Sequence, residues 1–359
     1  MTDSEHRAPY VAEEAFPPGD ALRDRLEELG MSQADLAARS NLSTKHINQI
    51  IQGVAPLTHE TALVLERVTG TPAHIWNALE AAYRDATVRS ESEPTADDVK
   101  WLRNLPIGEL QKRRHVVDSS SRKVLFQSVL AFFGVADRVA WERIWLRPDA
   151  RFRRSKAFQS HPGATAAWLR IGELEGRTRQ CRPFDPRAFR QVLFAARGMT
   201  RQHRFSDELV AGCANAGVAL VFVREIPGCR ANGAARWLTP TKALIQLSDR
   251  HKREDAFWFS FFHEGGHILN HPKREMFVDD GNKQDDVLEE EANQFAADML
   301  IPSAQARRLP TLETPGDVKR FAAEIGIAEG IVVGRLHNDH HWPWNEGNDL
   351  IQKIEIVDS

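Results

Sequence analysis

Between Leu22 and Leu79, apolar residues recur every three or four positions, in runs broken by Gly, Pro, Ser and Asn. That rhythm predicts short amphipathic helices joined by turns, five of them within residues 18–86. Ser32 stands where a side-chain oxygen would cap a helix that opens at Gln33 and runs through Leu36 and Ala37 to about Arg39. Asn41 follows where a tight inter-helix turn needs positive φ, which Asn tolerates better than most residues. Ser43 would cap the next helix, with Ile47, Ile50 and Ile51 facing inward, and the small Ala37 lets the two helices cross closely. These are the requirements of a helix-turn-helix.

The pattern then shifts. Residues 87–98, TVRSESEPTADD, are polar and acidic around Pro94 and read as an exposed linker. Residues 99–160 alternate apolar and basic positions at helical spacing and predict two or three connecting helices, with RFRR (151–154) on a solvated surface. GVALVFV (217–223) is a compact β-rich run, and GAARWL and KALIQLS flank the turn residues TPTK, predicting an antiparallel pair. Two helical segments follow, FWFSFFHEGGHILNH (257–271) and LEEEANQFAADMLIP (288–302). The second has an apolar face through Ala292, Phe295, Ala296 and Met299, with Pro302 beyond its end. GDVKRFAAEIGIAEGIVVGRLHND (316–339) repeats the helix-turn-helix pattern and is read as a docking or packing element, and HWPWNEGND as an irregular end anchored by aromatics. The expected fold is mainly α with a small β-sheet, an α+β arrangement. Its expected parts are a tail (1–17), the helix-turn-helix domain (18–86), the linker (87–98), a basic helical connector (99–160), the domain holding the histidine helix (161–347) and a C-terminal tail (348–359).

The 359 residues suffice for two or three domains, each with its own core. No run of eighteen apolar residues occurs, so no membrane-spanning helix is expected. The opening MTDSEHRAPYVAEEAF has early acids and no apolar core, so no secretory signal is expected either. Cys181, Cys213 and Cys229 are scattered, match no metal or redox spacing, and read as reduced thiols in a cytoplasmic protein. The net charge of −3 singles out no partner, but it is unevenly spread: residues 99–160 hold fourteen Lys/Arg against five Asp/Glu, and residues 254–301 hold three against twelve. Residues 21–86 carry six Lys/Arg against eight Asp/Glu, a poor electrostatic footprint for DNA. A dimer or the basic segment would have to supply phosphate contacts.

The candidate chemistry sits in residues 257–271. His263 and His267 are one helical turn apart on the same face and can grip one metal ion. Glu264 is rotated about 100° from His263, within reach of a water on that ion without being a ligand, the placement a general base needs. His271 continues the stripe but lies roughly 12 Å along a straight helix from His263, too far for the same ion. Asn270 and Lys273 stand where a metzincin would have Gly and its third His. The third ligand must therefore come from elsewhere in the chain.

Two resemblances sharpen these expectations. The run from Leu22, and above all VAPLTHETALVLERVTGTPAHIWNALEAAYRDA, resembles the XRE-type helix-turn-helix family and its HigA-like antitoxin branch. In such folds the second helix of the pair enters the major groove, which implies Thr44, Lys45 and Asn48 at base edges and Gln33 at a phosphate. Double-stranded operator DNA and a homodimer formed through or near this domain are implied with it. The spacing E-x-x-A-N at 289–293 resembles the second zinc helix of gluzincin-type peptidases, implying Glu289 as third ligand and Asn293 orienting a ligand imidazole. Glu290 and Glu291 are the alternative ligands. Both helices, with ARWLTPTKALIQLSDRHKREDAFWFSFFHE before them, resemble the ImmA/IrrE metallopeptidases, whose members cleave repressor proteins, over roughly 165–345. The departure is Gly265, where that family more often has a bulky apolar residue. It costs about 1 kcal/mol of helix propensity and is expected to loosen packing without touching a ligand or the base.

The resemblance implies a zinc-dependent endopeptidase, with manganese or iron as other possible occupants. It would be joined to a DNA-binding regulator and would cut a repressor or antitoxin partner, or its own chain. The other reading is a HigA-like repressor or antitoxin whose peptidase-like domain senses metal or a partner without proteolysis. A donor for the tetrahedral oxyanion is also expected. The only tyrosines, Tyr10 and Tyr83, lie outside this region, which leaves Arg335, His337, His340 and His341, with His337 ranked first.

Overall fold

The computed structural model describes residues 17–91, 93–146, 161–202, 204–250, 252–273, 276–279 and 287–354. The chain divides into two compact units, Met1–Thr95 and Ala96–Ser359. The expected N-terminal tail and the RFRR cluster fall outside the described residues, except for Pro17.

The first unit holds α1 (Pro18–Glu28), α2 (Gln33–Ser40), α3 (Thr44–Ile51), α4 (His59–Thr69) and α5 (Ala73–Glu91). Ser32 Oγ accepts from the Asp35 N–H and the Asp35 carboxylate accepts from the Ser32 N–H, both at 3.1 Å, a reciprocal cap that starts α2. Asn41 ends α2 at φ 61°, and Ser43 Oγ accepts from the His46 N–H to start α3. Ile47, Ile50 and Ile51 are buried with Leu22, Leu36 and Trp76 in a core of this unit's own.

Helix enters the expected linker from both sides, since α5 runs to Glu91 and α6 (Ala96–Arg103) begins within it. Polar residues on a solvated face do not stop a helix; in this stretch only Pro94 does.

In the second unit α6 is followed by α7 (Ile107–Lys112), α8 (Arg122–Phe133), α9 (Arg138–Trp145), α10 (Pro162–Thr178), α11 (Pro186–Met199) and α12 (Ser206–Asn215). Next come β1 (Val218–Phe222), β2 (Gly233–Thr239), β3 (Lys242–Leu247), α13 (Glu254–Asn270), β4 (Phe277–Asp279) and α14 (Val287–Leu300). The chain continues through α15 (Ser303–Ala306), α16 (Pro315–Ile325) and α17 (Glu329–Asn338). Among the described residues the strands form one sheet in the order β1-β3-β2-β4, parallel only between β1 and β3. The protein is thus mostly helical with a small mixed sheet.

Strand alternation assigns the two sheet faces to two cores. Ala219, Val221, Ala234 and Leu244 face Trp101, Phe126, Trp141 and Trp168. Val218, Leu220, Ala235 and Ile245 face Phe189, Leu193, Phe261 and Phe262. The basic connector is therefore one layer of the same fold and not a separate module. By length and composition the stretch Arg122–Trp145 could span a membrane. It is instead cut by Gly134, at φ 66°, and by the Asp137 N-cap into two helices that bury Phe126, Phe132, Trp141 and Trp145.

The helix-turn-helix-like pair α16–α17 buries Val318, Phe321, Ile331, Val332 and Leu336 in the core, the packing role expected of it. One further expectation changes. The expected C-terminal tail is packed down as far as Ile354. Leu350 is buried, Gln352 exchanges 3.0 Å hydrogen bonds with Glu254, and Lys353 bridges Arg253.

Candidate functional site

α13 is unbroken from Glu254 to Asn270 despite its two central glycines, and their role is visible in what surrounds them. A Cβ at Gly266 would lie 3.0 Å from the Phe295 ring of α14, and one at Gly265 3.1 Å from Leu193 of α11. The glycines let both neighbours approach the helix backbone. Gly265 thus tightens the packing it was expected to loosen.

That close approach brings α14 to the histidines. His263 Nε2 lies 3.0 Å from His267 Nε2 and 3.2 Å from Glu289 Oε2, and His267 Nε2 lies 3.6 Å from Glu289 Oε1. Ligand bonds of about 2.05 Å at tetrahedral angles put neighbouring ligand atoms roughly 3.3 Å apart, so the three donors fit one small cation. Among the described residues this is the one His/Cys/Asp/Glu group with such convergence.

The hydrogen bonds behind the donors point the same way. Asn293 Oδ1 can only accept, so His263 Nδ1, 3.0 Å away, carries the proton. His271 Nε2 donates to Glu291 Oε2 at 3.1 Å, which leaves His271 Nδ1 to accept from His267 Nδ1–H at 2.8 Å. When both rings are neutral, the two Nε2 atoms are bare and face each other beside a carboxylate, a pocket short of positive charge. The His267 ring is also stacked on Phe277 at 3.9 Å.

The ionisation of the three donors reflects this crowding. Burial depresses His263, but Glu289, Asp279 and Asn293 together raise it above its ordinary value. Burial dominates at His267 and takes it down to about 4. For Glu289 burial acts upward, but contacts with His263 and His267 overcome it and bring the carboxyl down to about 2. The cluster holds an anionic carboxylate ready and keeps one imidazole neutral, as a metal ligand set requires.

Glu264 is fully buried, and neither of its carboxylate oxygens has a hydrogen-bond partner. Burial, Asp279 and Glu289 push its carboxyl well above the ordinary range, opposed most weakly by a backbone contact at Asp279. A Cβ at Gly233 would lie 2.6 Å from Glu264 Oε1, so the glycine is what lets β2 lie against this side chain. A buried carboxyl of raised pKa beside three convergent donors can take and return a proton.

His337 is not among the groups that meet here. It is fully buried, its Nε2 donates to the Glu346 carbonyl at 2.7 Å, and its ring lies against Trp344. Arg335 is paired with Asp339 at 2.7 Å, and His340 and His341 are exposed. None of the four joins the donor cluster, and His337 Nε2, ranked first as oxyanion donor, is already engaged by the Glu346 carbonyl. Of the alternative ligands, Glu291 is engaged by His271 and Glu290 is exposed. The reading from sequence did not anticipate His271 and Glu291 as supports for His267, nor Phe277 and Asp279. The spacing of His271, one turn past His267, was the available signal.

In the first unit Thr44, Lys45 and Asn48 are exposed on α3, away from its buried isoleucines, and Gln33 is half-buried in the first turn of α2.

Comparisons with known proteins agree with this division. The helix-turn-helix profile matches residues 22–76, and the Peptidase M78 profile, described as an IrrE N-terminal-like domain, matches residues 219–337. Among curated proteins, the chain is 33% identical over 88 residues to the uncharacterized HTH-type transcriptional regulator YddM of Escherichia coli K12, covering 24% of this chain and 88% of that protein. It is 36% identical over 70 residues to virulence-associated protein I of Dichelobacter nodosus, covering 19% of this chain and 65% of that one. Among solved structures, an addiction module antidote protein of a HigA family from Coxiella burnetii shares 30% identity over 22% of this chain and 87% of its own, with a TM-score of 0.21. The chain belongs to the helix-turn-helix transcriptional regulators and carries, in its second unit, a metallopeptidase-family domain of the IrrE N-terminal-like type.

Proposed function

We propose that the protein is a DNA-binding regulator whose second unit is a zinc-dependent endopeptidase, cutting a repressor or antitoxin partner, or its own chain, to switch expression. The observation that carries this reading is the convergence of His263, His267 and Glu289 within 3.0–3.6 Å beside the buried, unpartnered Glu264. Zinc suits two imidazoles and a carboxylate, with manganese as the other candidate. When bound, such an ion acidifies a water and polarises a scissile carbonyl. Glu264 takes the proton and returns it to the leaving amine, while Asn293 and His271 hold the ligand imidazoles in the required tautomers. Thr44, Lys45 and Asn48 address bases of double-stranded operator DNA and Gln33 a phosphate, in a cytoplasmic homodimer formed through or near the first unit.

One observation favours a second reading, a repressor or antitoxin whose peptidase-like unit senses metal or a partner without turnover. His263, Glu264 and His267 are only 1%, 0% and 2% exposed, so a substrate needs the site to open. Metal analysis of the purified protein beside Glu289→Ala tests the first reading, with about one zinc per chain expected and lost in the variant. A wild type that refuses added zinc sinks it. If zinc is held, Glu264→Gln separates the two: the peptidase reading requires cleavage to vanish with DNA binding kept, and the sensor reading requires no change.

A further inference from the structure

α11 carries a surface that neither the metal cluster nor the helix-turn-helix accounts for. Its Phe189, Leu193 and Ala196 are buried in the core. Around the helix from them, Arg187, Arg190, Phe194 and Arg197 follow at spacings of three and four, and Arg201 comes just past the helix end. At 100° and 1.5 Å per residue they keep within about 80° of arc over roughly 20 Å. Arg187, Arg190 and Arg201 are exposed, and Phe194 is 67% exposed. From Pro186 to Ser206 there are five arginines and no Asp or Glu.

Elsewhere in the chain Arg25, Arg84, Arg113, Arg308 and Arg335 each meet a carboxylate. Among the described residues none of the five arginines between Pro186 and Ser206 does, and Arg197 donates only to the Leu300 carbonyl at 3.1 Å. The nearest carboxylate in sequence, Asp185, caps the start of α11, and Asp207 and Glu208 open α12.

We propose that this stripe is a second, sequence-independent contact to the backbone of duplex DNA. Three arguments favour DNA over an acidic protein. The chain already carries a DNA-binding unit, so tethering keeps DNA at high effective concentration. That unit is poor in phosphate-binding charge, with six Lys/Arg against eight Asp/Glu over residues 21–86. Arginine guanidinium matches phosphate geometry and presents paired N–H donors to it.

The test is the salt dependence of full-length protein binding to a labelled duplex of unrelated sequence. Replacing Arg187, Arg190 and Arg201 together by Ala should lower the slope of log K against log salt by about 2.7 and cost roughly five-fold in affinity per arginine near 0.15 M. The corresponding triple Lys variant, which keeps the charge, should retain the slope, and thermal melting should show all variants folded. An unchanged slope in the Ala variant overturns the proposal. So does loss of binding to immobilised polyglutamate with the DNA slope intact, which would assign the stripe to an acidic protein.

Discussion

Removal of the His271 imidazole tests whether the hydrogen bonds behind the donor cluster set its metal affinity. The ring is 1% exposed, with Nδ1 2.8 Å from His267 Nδ1 and Nε2 3.1 Å from Glu291 Oε2. In His271→Ala the buried His267 Nδ1–H loses its acceptor, a loss of about 1–3 kcal/mol, and nothing then keeps the proton on Nδ1 and the lone pair on Nε2. Supports of this kind are typically worth about 10–100-fold in metal affinity. The stacking of His267 on Phe277 at 3.9 Å survives the substitution and still holds the plane of the ring, so we expect about 10–30-fold, or roughly 1.4–2 kcal/mol. Glu291→Gln should cost less than about 3-fold, because its side chain is 57% exposed and the amide oxygen still accepts from His271. Zinc competition against a chromogenic chelator gives the affinities, and melting in excess EDTA reports the apo fold separately. A folded His271→Ala that binds zinc within about 3-fold of wild type refutes the reasoning. If Glu291→Gln costs as much as His271→Ala, the effect belongs to the charge and not to the tautomer.

Other outcomes follow from the same geometry. Glu289 is held at about 2, below its ordinary 4.5, so its ionisation stabilises the metal-free fold above about pH 4.5, and this is lost as pH falls toward 2. The stability gap between wild type and Glu289→Gln in EDTA should therefore shrink by up to about 3 kcal/mol between roughly pH 5 and pH 2; urea titrations showing a constant gap would contradict the assignment. Gly266→Ala gains about 1 kcal/mol of helix propensity but drives a Cβ to 3.0 Å from Phe295, and overpacking of about 1–3 kcal/mol should make it net destabilising. Gly198→Ala, with nothing within 4 Å of the new Cβ, should stabilise by about 0.5 kcal/mol, and opposite signs in thermal melts check the pair. Asn41→Val should cost about 1–2 kcal/mol at φ 61° while Asn41→Gly stays near neutral, as read by denaturant midpoints.

What could be read in advance was whatever depends on neighbours in the chain. The Ser32 and Ser43 caps, the left-handed Asn41 and the β2–β3 hairpin are decided within a few residues, and each was visible in the sequence. The pairing of His263 with His267 is equally local, since one helical turn sets it. Glu289 came from resemblance to a motif and not from spacing, because twenty-two residues separate it from His267 and no local rule spans them. The linker was legible as a polar stretch, and the boundary between the two units falls within it at Thr95–Ala96, but how far helix propensity with solvated charges carries α5, to Glu91, was not.

The glycines of α13 show why the remainder was illegible. In isolation two adjacent glycines are a defect of about 2 kcal/mol in helix propensity, and from the sequence that cost could only be counted against the site. The compensating gain belongs to Phe295 and Leu193, which lie on two other helices and close on the glycine backbone only in the folded chain. The same closure carries Glu289 onto the histidines and Glu291 onto His271. Bulk at position 266 is therefore a perturbation of the donor cluster as much as of the helix, because Phe295 is on the helix that supplies Glu289. A substitution there that keeps the fold but moves α14 outward should weaken zinc without touching any ligand.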